Sequence, residues 1–320
     1  MKQIVVLFAG GGIVDTAIAD MGLETTYAVE CDREVAKVYK QNFPSTQLIE
    51  SRVEEVDYSI MANEETLLLH ASTSCKSFSI ANNTNALRGV SPQDIAAIKG
   101  VVDAIRTLKP LYFTLEQVRG YSDSICFDIL LQCLRENNYS YSFDVLNACH
   151  YGVPQHRERL ILTAVRSRRP VGLPPKKRPK FWVDILDMNE FIPTTPTLTQ
   201  REAMREKLKL FPSCEYWLLQ RRGYRKELII RQEMEVSPTI TCSIFSDGKG
   251  ANRQDFYDIY NSVKDEWHKL SIRNMAQLQT IPDWYQLPEE TRIAGTIIGN
   301  GVPTKLYEAI LEQLIWHSKS

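Results

Sequence analysis

Glu30, Cys75 and Glu116 share one kind of address. Each lies at or just past the end of a short apolar run, residues 27–29, 67–69 and 111–115 respectively, and such runs predict strands. In a doubly wound sheet the carboxyl edge of the strands is where ligands bind. With a guanidinium from Arg159, these groups can activate an electron-poor pyrimidine. Carbon 5 of cytosine is too electron-poor to attack a methyl donor, but a thiolate that adds to carbon 6 turns the ring into an enamine whose carbon 5 is nucleophilic. A carboxylic acid at N3 stabilises that adduct, and a guanidinium holds O2. Cys75, Glu116 and Arg159 could fill those three roles. Taken singly, a lone Cys is usually core and a lone Glu after a strand is usually surface.

The elements that would hold these residues follow an α/β pattern. Apolar runs at residues 4–8, 27–29, 67–69, 111–115 and 160–165 alternate with helical periodicities, which predicts a mostly parallel, doubly wound sheet. The clearest helix is the stripe Ile95, Ile98, Val102, Ile105 and Leu108, opened by Ser91 and Pro92 and closed by Pro110. A second is expected over about 124–137, and a last one over 303–316. Residues 4–8 run straight into Ala9-Gly10-Gly11-Gly12, with a helix-compatible stretch after them and Glu30 following Gly10 by 20 residues. Strand, glycine turn, helix and a later acid make a place for a ligand with ribose hydroxyls. The third glycine of the dinucleotide pattern would fall on Asp15, which favours S-adenosylmethionine (AdoMet) over a dinucleotide, because AdoMet has no pyrophosphate to seat. A structural turn with a coincidental acid is the alternative.

The length of 320 residues allows a large core plus a smaller domain. No apolar run approaches membrane-spanning length. The seven cysteines are an odd number with no C-x-x-C pair, which suits a reducing cytoplasm and predicts no metal site. The net charge of −1 hides an uneven distribution: residues 166–231 hold 16 Lys/Arg against 7 Asp/Glu, whereas residues 1–165 hold 14 against 20. Arg168, Arg169, Lys176 and Lys177 lie in a proline-rich stretch, residues 166–180, that contains no acid. It reads as a linker or an extended phosphate-contacting strand, or else as a solvated basic face.

Several of these segments resemble motifs of the cytosine-C5 DNA methyltransferases. Phe8-Ala9-Gly10-Gly11-Gly12 is similar to the family's first motif and Val29-Glu30-Cys31-Asp32 to its second. Ser74-Cys75-Lys76-Ser77-Phe78-Ser79 resembles the nucleophile motif, Glu116-Gln117-Val118 the Glu-Asn-Val motif, and Gln155-His156-Arg157-Glu158-Arg159 the Gln-x-Arg-x-Arg motif. Gly299-Asn300-Gly301-Val302-Pro303 resembles the last one. The resemblance implies AdoMet bound by Phe8, Ala9, Gly10, Gly11, Gly12, Glu30, Cys31, Val53, Asn300 and Val302. It implies catalysis by Cys75, Glu116, Arg157 and Arg159, and double-stranded DNA held by Ser79, Gln155, Arg168, Arg169, Lys176 and Lys177, with the target cytosine flipped out of the stack.

The chain departs from the family at Ser74 (Pro), Lys76 (Gln), Gln117 (Asn), Arg52 (Asp) and Asn274 (Glu). Two rivals to a DNA methyltransferase follow: an enzyme of the same chemistry acting on RNA, including tRNA, or on a nucleotide, and a non-catalytic DNA-binding homologue. The expected organisation is a catalytic AdoMet-binding domain over 1–170, completed by 286–320, and an irregular target-recognition domain over 171–285. A monomer in the bacterial cytoplasm or nucleoid, with a cognate restriction endonuclease as partner, completes the expectation.

Overall fold

Five consecutive buried residues, Gln3–Leu7, form strand β1 of the sheet that carries the site. The structure is a computed structural model that describes residues 2–75, 77–78, 91–167, 169–221, 228–242 and 256–316. Contacts divide the chain into two units: Met1–Asn147 with Glu158–Lys176 and Thr304–Ser320, and Ala148–Arg157 with Lys177–Pro303. Residues 148–157 and 286–303, expected with the catalytic part, therefore belong to the second unit.

In the first unit, β1 is followed by α1 (Ile13–Asp20), β2 (Tyr27–Val29), α2 (Arg33–Asn42), β3 (Gln47–Ile49), β4 (Thr66–Ala71), α3 (Pro92–Leu108), β5 (Tyr112–Gln117), α4 (Ile125–Glu136), β6 (Tyr139–Asn147) and β7 (Glu158–Arg166). The strands join in the order β3-β2-β1-β4-β5-β7-β6. Neighbours pair in parallel from β3 to β5, and β7 runs antiparallel to both β5 and β6. The expected doubly wound, mostly parallel sheet is thus present. Its strand order reverses at β1 and β4, so the segments following those strands flank the ligand-binding crevice of such a sheet.

The helix expected from the stripe at 95–108 is α3. Ser91 and Asp94 form its capping box, Pro92 sits in its first turn, and Lys109 ends it in the left-handed conformation. With α4 it covers one sheet face, where Leu69, Ala71, Phe113, Leu115 and Leu162 pack against Ile98, Ile105 and Leu130. The period of two sends the alternate residues to the opposite face, and there the sheet buries polar groups. His70 on β4 lies opposite Thr114 on β5, with Nδ1 2.9 Å from Thr114 Oγ1. That hydroxyl is 2.8 Å from Tyr307 Oη on the last helix, Thr304–Leu311. One turn away, Thr304 bonds Thr16 of α1 at 2.8 Å. Beside Thr16, the buried Asp15 carboxylate accepts hydrogen bonds from Thr25 Oγ1 (2.6 Å) and Tyr39 Oη (2.8 Å).

The second unit was expected to be irregular. It instead contains a five-stranded sheet in the order β10-β9-β11-β12-β8, antiparallel throughout. Its strands are β8 (Ile192–Pro193), β9 (Tyr216–Arg221), β10 (Leu228–Gln232), β11 (Phe256–Asn261) and β12 (Glu266–Lys269), and its helices are α5 (Leu198–Leu210), α6 (Ile272–Leu278) and α7 (Thr291–Asn300). Met204, Cys214, Trp217, Leu219, Tyr260 and Trp267 form a core there. Among the described residues no helix is long and apolar enough to cross a membrane.

Two buried titratable groups, Asp15 and His70, act on stability with opposite sign. Burial pushes Asp15 up to about 6 from its ordinary 3.8, against the Thr25 and Tyr39 hydrogen bonds that pull it down. Burial pushes His70 down to about 3 from 6.5. Stability linked to Asp15 is lost as pH rises through 6, whereas stability linked to His70 is lost as pH falls from 6.5 toward 3. Relative to the wild type, Asp15→Asn should gain about 2 kcal/mol between pH 4 and 6.5, and His70→Gln should lose stability over the same interval. Urea midpoints across that range check both; slopes that shift in the same direction for both variants contradict the assignment.

Candidate active site

Pairing register brings the candidate acid and the guanidinium together. Glu116 lies opposite Ile161 of β7, so Arg159, two residues earlier on β7, shares its face. Arg159 Nε is 2.8 Å from Glu116 Oε1, and both side chains are largely buried. A second partner comes from the other side. With His70 opposite Thr114, continuing β4 by two residues puts Ser72 beside Glu116, and Ser72 Oγ donates to Glu116 Oε2 at 2.6 Å. Arg159 Nη1 donates to the Glu158 carbonyl at 2.7 Å.

Cys75 lies four residues beyond the end of β4 and is half-buried. The segment leading to it is pinned by the residue next to the acid: Gln117 Nε2 donates to the Thr73 carbonyl (2.7 Å), Thr73 Oγ1 (3.0 Å) and the Ser74 carbonyl (3.0 Å). Gln117 is itself buried, so the glutamine found where the resembled motif has asparagine reaches the segment leading into Cys75 directly. Beyond Cys75, Phe78 N donates to the Cys75 carbonyl at 3.1 Å, and the Phe78 ring packs edge-on against Tyr121 at 4.8 Å. Lys76 and Ser79 lie outside the described residues. The thiols of α4 differ in kind. Cys126 and Cys133 are buried, and burial raises both, Cys126 to about 11, which keeps them protonated and inert. No group of His, Cys, Asp and Glu among the described residues could hold a metal ion.

The loop after β1 has the shape of a cradle. Phe8 (φ 57°), Gly10 (φ 56°) and Gly12 (φ 84°) all have left-handed backbone, uncommon for a residue as bulky as Phe8 and a pattern that clusters at ligand sites. A Cβ on Gly10 would meet nothing within 4 Å, whereas one on Gly12 would collide with the Phe43 ring. The loop is therefore open on one side and closed against α2 on the other. Glu30 braces it: Gly10 N donates to Oε2 at 2.8 Å and Asp32 N to Oε1 at 2.7 Å. The carboxylate has about four acceptor positions, so it can take a further donor. Cys31 is exposed, and Val53 is buried in the apolar core. Glu50 pairs with Lys40 at 2.6 Å and Arg52 with Glu54 at 3.2 Å.

Other expected site residues, several of them in the second unit, are placed differently. Arg157, expected to be catalytic, has no exposed surface. Its guanidinium donates to the carbonyls of Ile240 (2.9 Å), Gly299 (2.9 Å) and Gly301 (3.0 Å), which fastens two backbone segments, at 240 and at 299–301, to its own. Gln155, expected to contact substrate, is also fully buried and bonds the Leu278 carbonyl, Gln279 and the Ile240 amide. Asn300 ends α7 exposed, and Val302 is buried. Arg169, Lys176 and Lys177 are exposed in a stretch without regular structure, and Arg168 lies outside the described residues.

The profile of the C-5 cytosine-specific DNA methylase family matches residues 3–316. Type II methyltransferase M.Sau96I of Staphylococcus aureus is 25% identical over 96% of this chain and 74% of its own length. M.Bsp6I of Bacillus sp. is 25% identical, with 98% of each chain covered. Among solved structures, Spodoptera frugiperda DNMT2 superposes with a TM-score of 0.67 at 20% identity, covering 98% of this chain and 99% of its own, which shows a shared fold.

The Glu116–Arg159 pair yields a test on stability alone. Arg159→Met should cost about 3 kcal/mol, because it leaves a buried carboxylate without its counter-charge. Adding Glu116→Gln should recover at least about 1 kcal/mol of that loss. Chemical denaturation of the two single variants and the double variant measures the coupling; purely additive losses mean that the pair is not formed.

Proposed function

The chain belongs to the C-5 cytosine-specific DNA methylase family and is an enzyme of that class, and we propose that it moves a methyl group from AdoMet to carbon 5 of a cytosine flipped out of double-stranded DNA, through a covalent adduct at Cys75. One observation carries the reading. A buried carboxyl held by a guanidinium, Glu116 with Arg159 at 2.8 Å, stands at the end of the strand next to the one that leads into the cysteine.

Cys75, as thiolate, adds to carbon 6 of the ring. Glu116, as carboxylic acid, gives its proton to N3, so that the negative charge arriving with sulfur is neutralised on the ring. Arg159 binds Glu116 through Nε and the Glu158 carbonyl through Nη1; its Nη2 is the donor available to O2. AdoMet, when bound, supplies an electrophilic methyl group. After carbon 5 has been alkylated, solvent water takes its proton, the electrons of that bond restore the ring double bond as Cys75 leaves as thiolate, and Glu116 takes its own proton back from N3.

The chain's own residues fit AdoMet. The open side of the loop at Gly10 admits the methionine part, Phe8 stands beside the loop to pack on adenine, and Glu30 has lone pairs for the ribose hydroxyls. The exposed Arg169, Lys176 and Lys177 are suited to the DNA backbone, whose charge dominates non-specific affinity. The catalytic role goes to the first unit and target recognition to the second. A cognate restriction endonuclease as partner, a monomeric state and a cytoplasmic location belong to the same reading; the type II names of the relatives favour the first of these.

Transfer of labelled methyl from AdoMet to unmethylated bacterial DNA, bulk tRNA and deoxycytidine monophosphate, run side by side, tests this. DNA should be the acceptor, and Cys75→Ala should be inactive. Glu30→Ala should weaken AdoMet binding by about 1–3 kcal/mol, the usual loss for a charge-assisted hydrogen bond. Label in tRNA or nucleotide alone reassigns the substrate, and a protein that gives no calorimetric heat with AdoMet is a binding module instead.

A further inference from the structure

We propose that Ser72 is a positioning residue of the reaction: its hydroxyl, from one side, and Arg159, from the other, hold the carboxyl of Glu116 in a single orientation toward the base. The proposal rests on the reading of Glu116 as the acid. A glutamate side chain has three rotatable bonds, and a guanidinium bound to one oxygen leaves the carboxyl free to pivot about that contact. Here each oxygen has its own anchor: Oε1 takes Arg159 Nε from the β7 side at 2.8 Å, and Oε2 takes Ser72 Oγ from the β4 side at 2.6 Å. The two anchors come from the strands on either side of β5, so the carboxyl is gripped across the sheet rather than along one strand.

The backbone that carries Ser72 is also fixed at both ends. Ala71, just before it, is paired with Leu115 in the β4–β5 ladder. Thr73, just after it, is held through its carbonyl and its hydroxyl by Gln117. The hydroxyl is thus presented by a rigid segment, as precise placement of a reacting group requires. Its chemistry matters as well. A guanidinium can only donate, and so serves the carboxylate; a serine hydroxyl donates to the carboxylate and can turn to accept from the carboxylic acid. Ser72 therefore keeps its contact with Glu116 in both protonation states, as the acid before the proton goes to N3 and as the carboxylate after it has gone.

The experiment compares full-length wild type, Ser72→Ala, Ser72→Thr and Glu116→Gln in steady-state methyl transfer to unmethylated DNA, varying AdoMet and DNA separately. Ser72→Ala should lower kcat about 10- to 100-fold, the loss of a hydrogen bond to a charged group. The KM values for AdoMet and DNA should stay within about two-fold, since Ser72 binds neither. Ser72→Thr, which restores the hydroxyl, should recover most of kcat. Thermal melting of all four proteins separates loss of fold from loss of rate. A Ser72→Ala enzyme with wild-type kcat, while Glu116→Gln is inactive, overturns the proposal and leaves the acid assignment standing. A kcat that falls in Ser72→Ala and is not recovered in a stably folded Ser72→Thr also overturns it. A fully active Glu116→Gln removes the reading on which the proposal rests.

Discussion

A carboxylate buried at a strand end needs a counter-charge from a neighbouring strand, and that requirement ties the site to the sheet. Glu116 is 6% exposed, and Arg159 supplies the counter-charge that offsets the cost of burying it. Arg159 can reach it because β7 runs antiparallel to β5 in the register Glu116↔Ile161. A slip of one residue would turn Glu116 into the apolar face packed against α3 and α4. The hydrophobic pattern of the strands, which fixes that register, therefore also fixes the acid.

The same alternation accounts for what lies behind the acid. Residue 70 on β4, residue 72 just past its end, and 114 and 116 on β5 lie toward one face and are polar; Leu69, Ala71, Phe113 and Leu115 point to the other and are core. Buried polar groups are tolerated where they find partners. Here His70, Thr114 and Tyr307 supply one another, and Thr16 pairs with Thr304. The last helix in sequence is thus bonded to the strand that carries Glu116, which couples the end of the chain to the reacting edge. On the neighbouring strand β1, the sharp left-handed path through Phe8, Gly10 and Glu30's brace on that loop prepare a second ligand position at the same edge of the sheet.

Much of this was legible in the residues. Short apolar runs marked β1, β2, β4, β5 and β7, and Ser91, Pro92 and Pro110 bracketed α3 closely. The strands that escaped notice lacked that signal. β3 is three partly exposed or exposed residues, and β6 mixes serine and aspartate with aromatics on an edge. In the second unit, β9 and β11 carry polar residues in their interiors, such as Gln220 and Asp258, that find buried partners, so hydropathy alone does not reveal them. Arg157 and Gln155 read as functional because polar residues in a motif suggest ligands, whereas their burial against backbone carbonyls depends on chain segments more than 80 residues away. Ser72 could have been found by counting on two residues from His70, since His70 lies opposite Thr114 and Glu116 is two residues beyond Thr114.

Covalent trapping tests the central assignment, Cys75 as nucleophile toward carbon 6, most directly. Fluorine at carbon 5 cannot leave as a proton does, so the adduct formed before methyl transfer cannot resolve afterwards. Duplex DNA with 5-fluorocytosine at every cytosine presents the target site whatever its sequence. Incubated with AdoMet and this protein, it should yield a denaturant-resistant complex whose bond maps to Cys75 and which Cys75→Ala does not form. A bond at a different cysteine, or methylation of ordinary DNA by Cys75→Ala, contradicts the assignment.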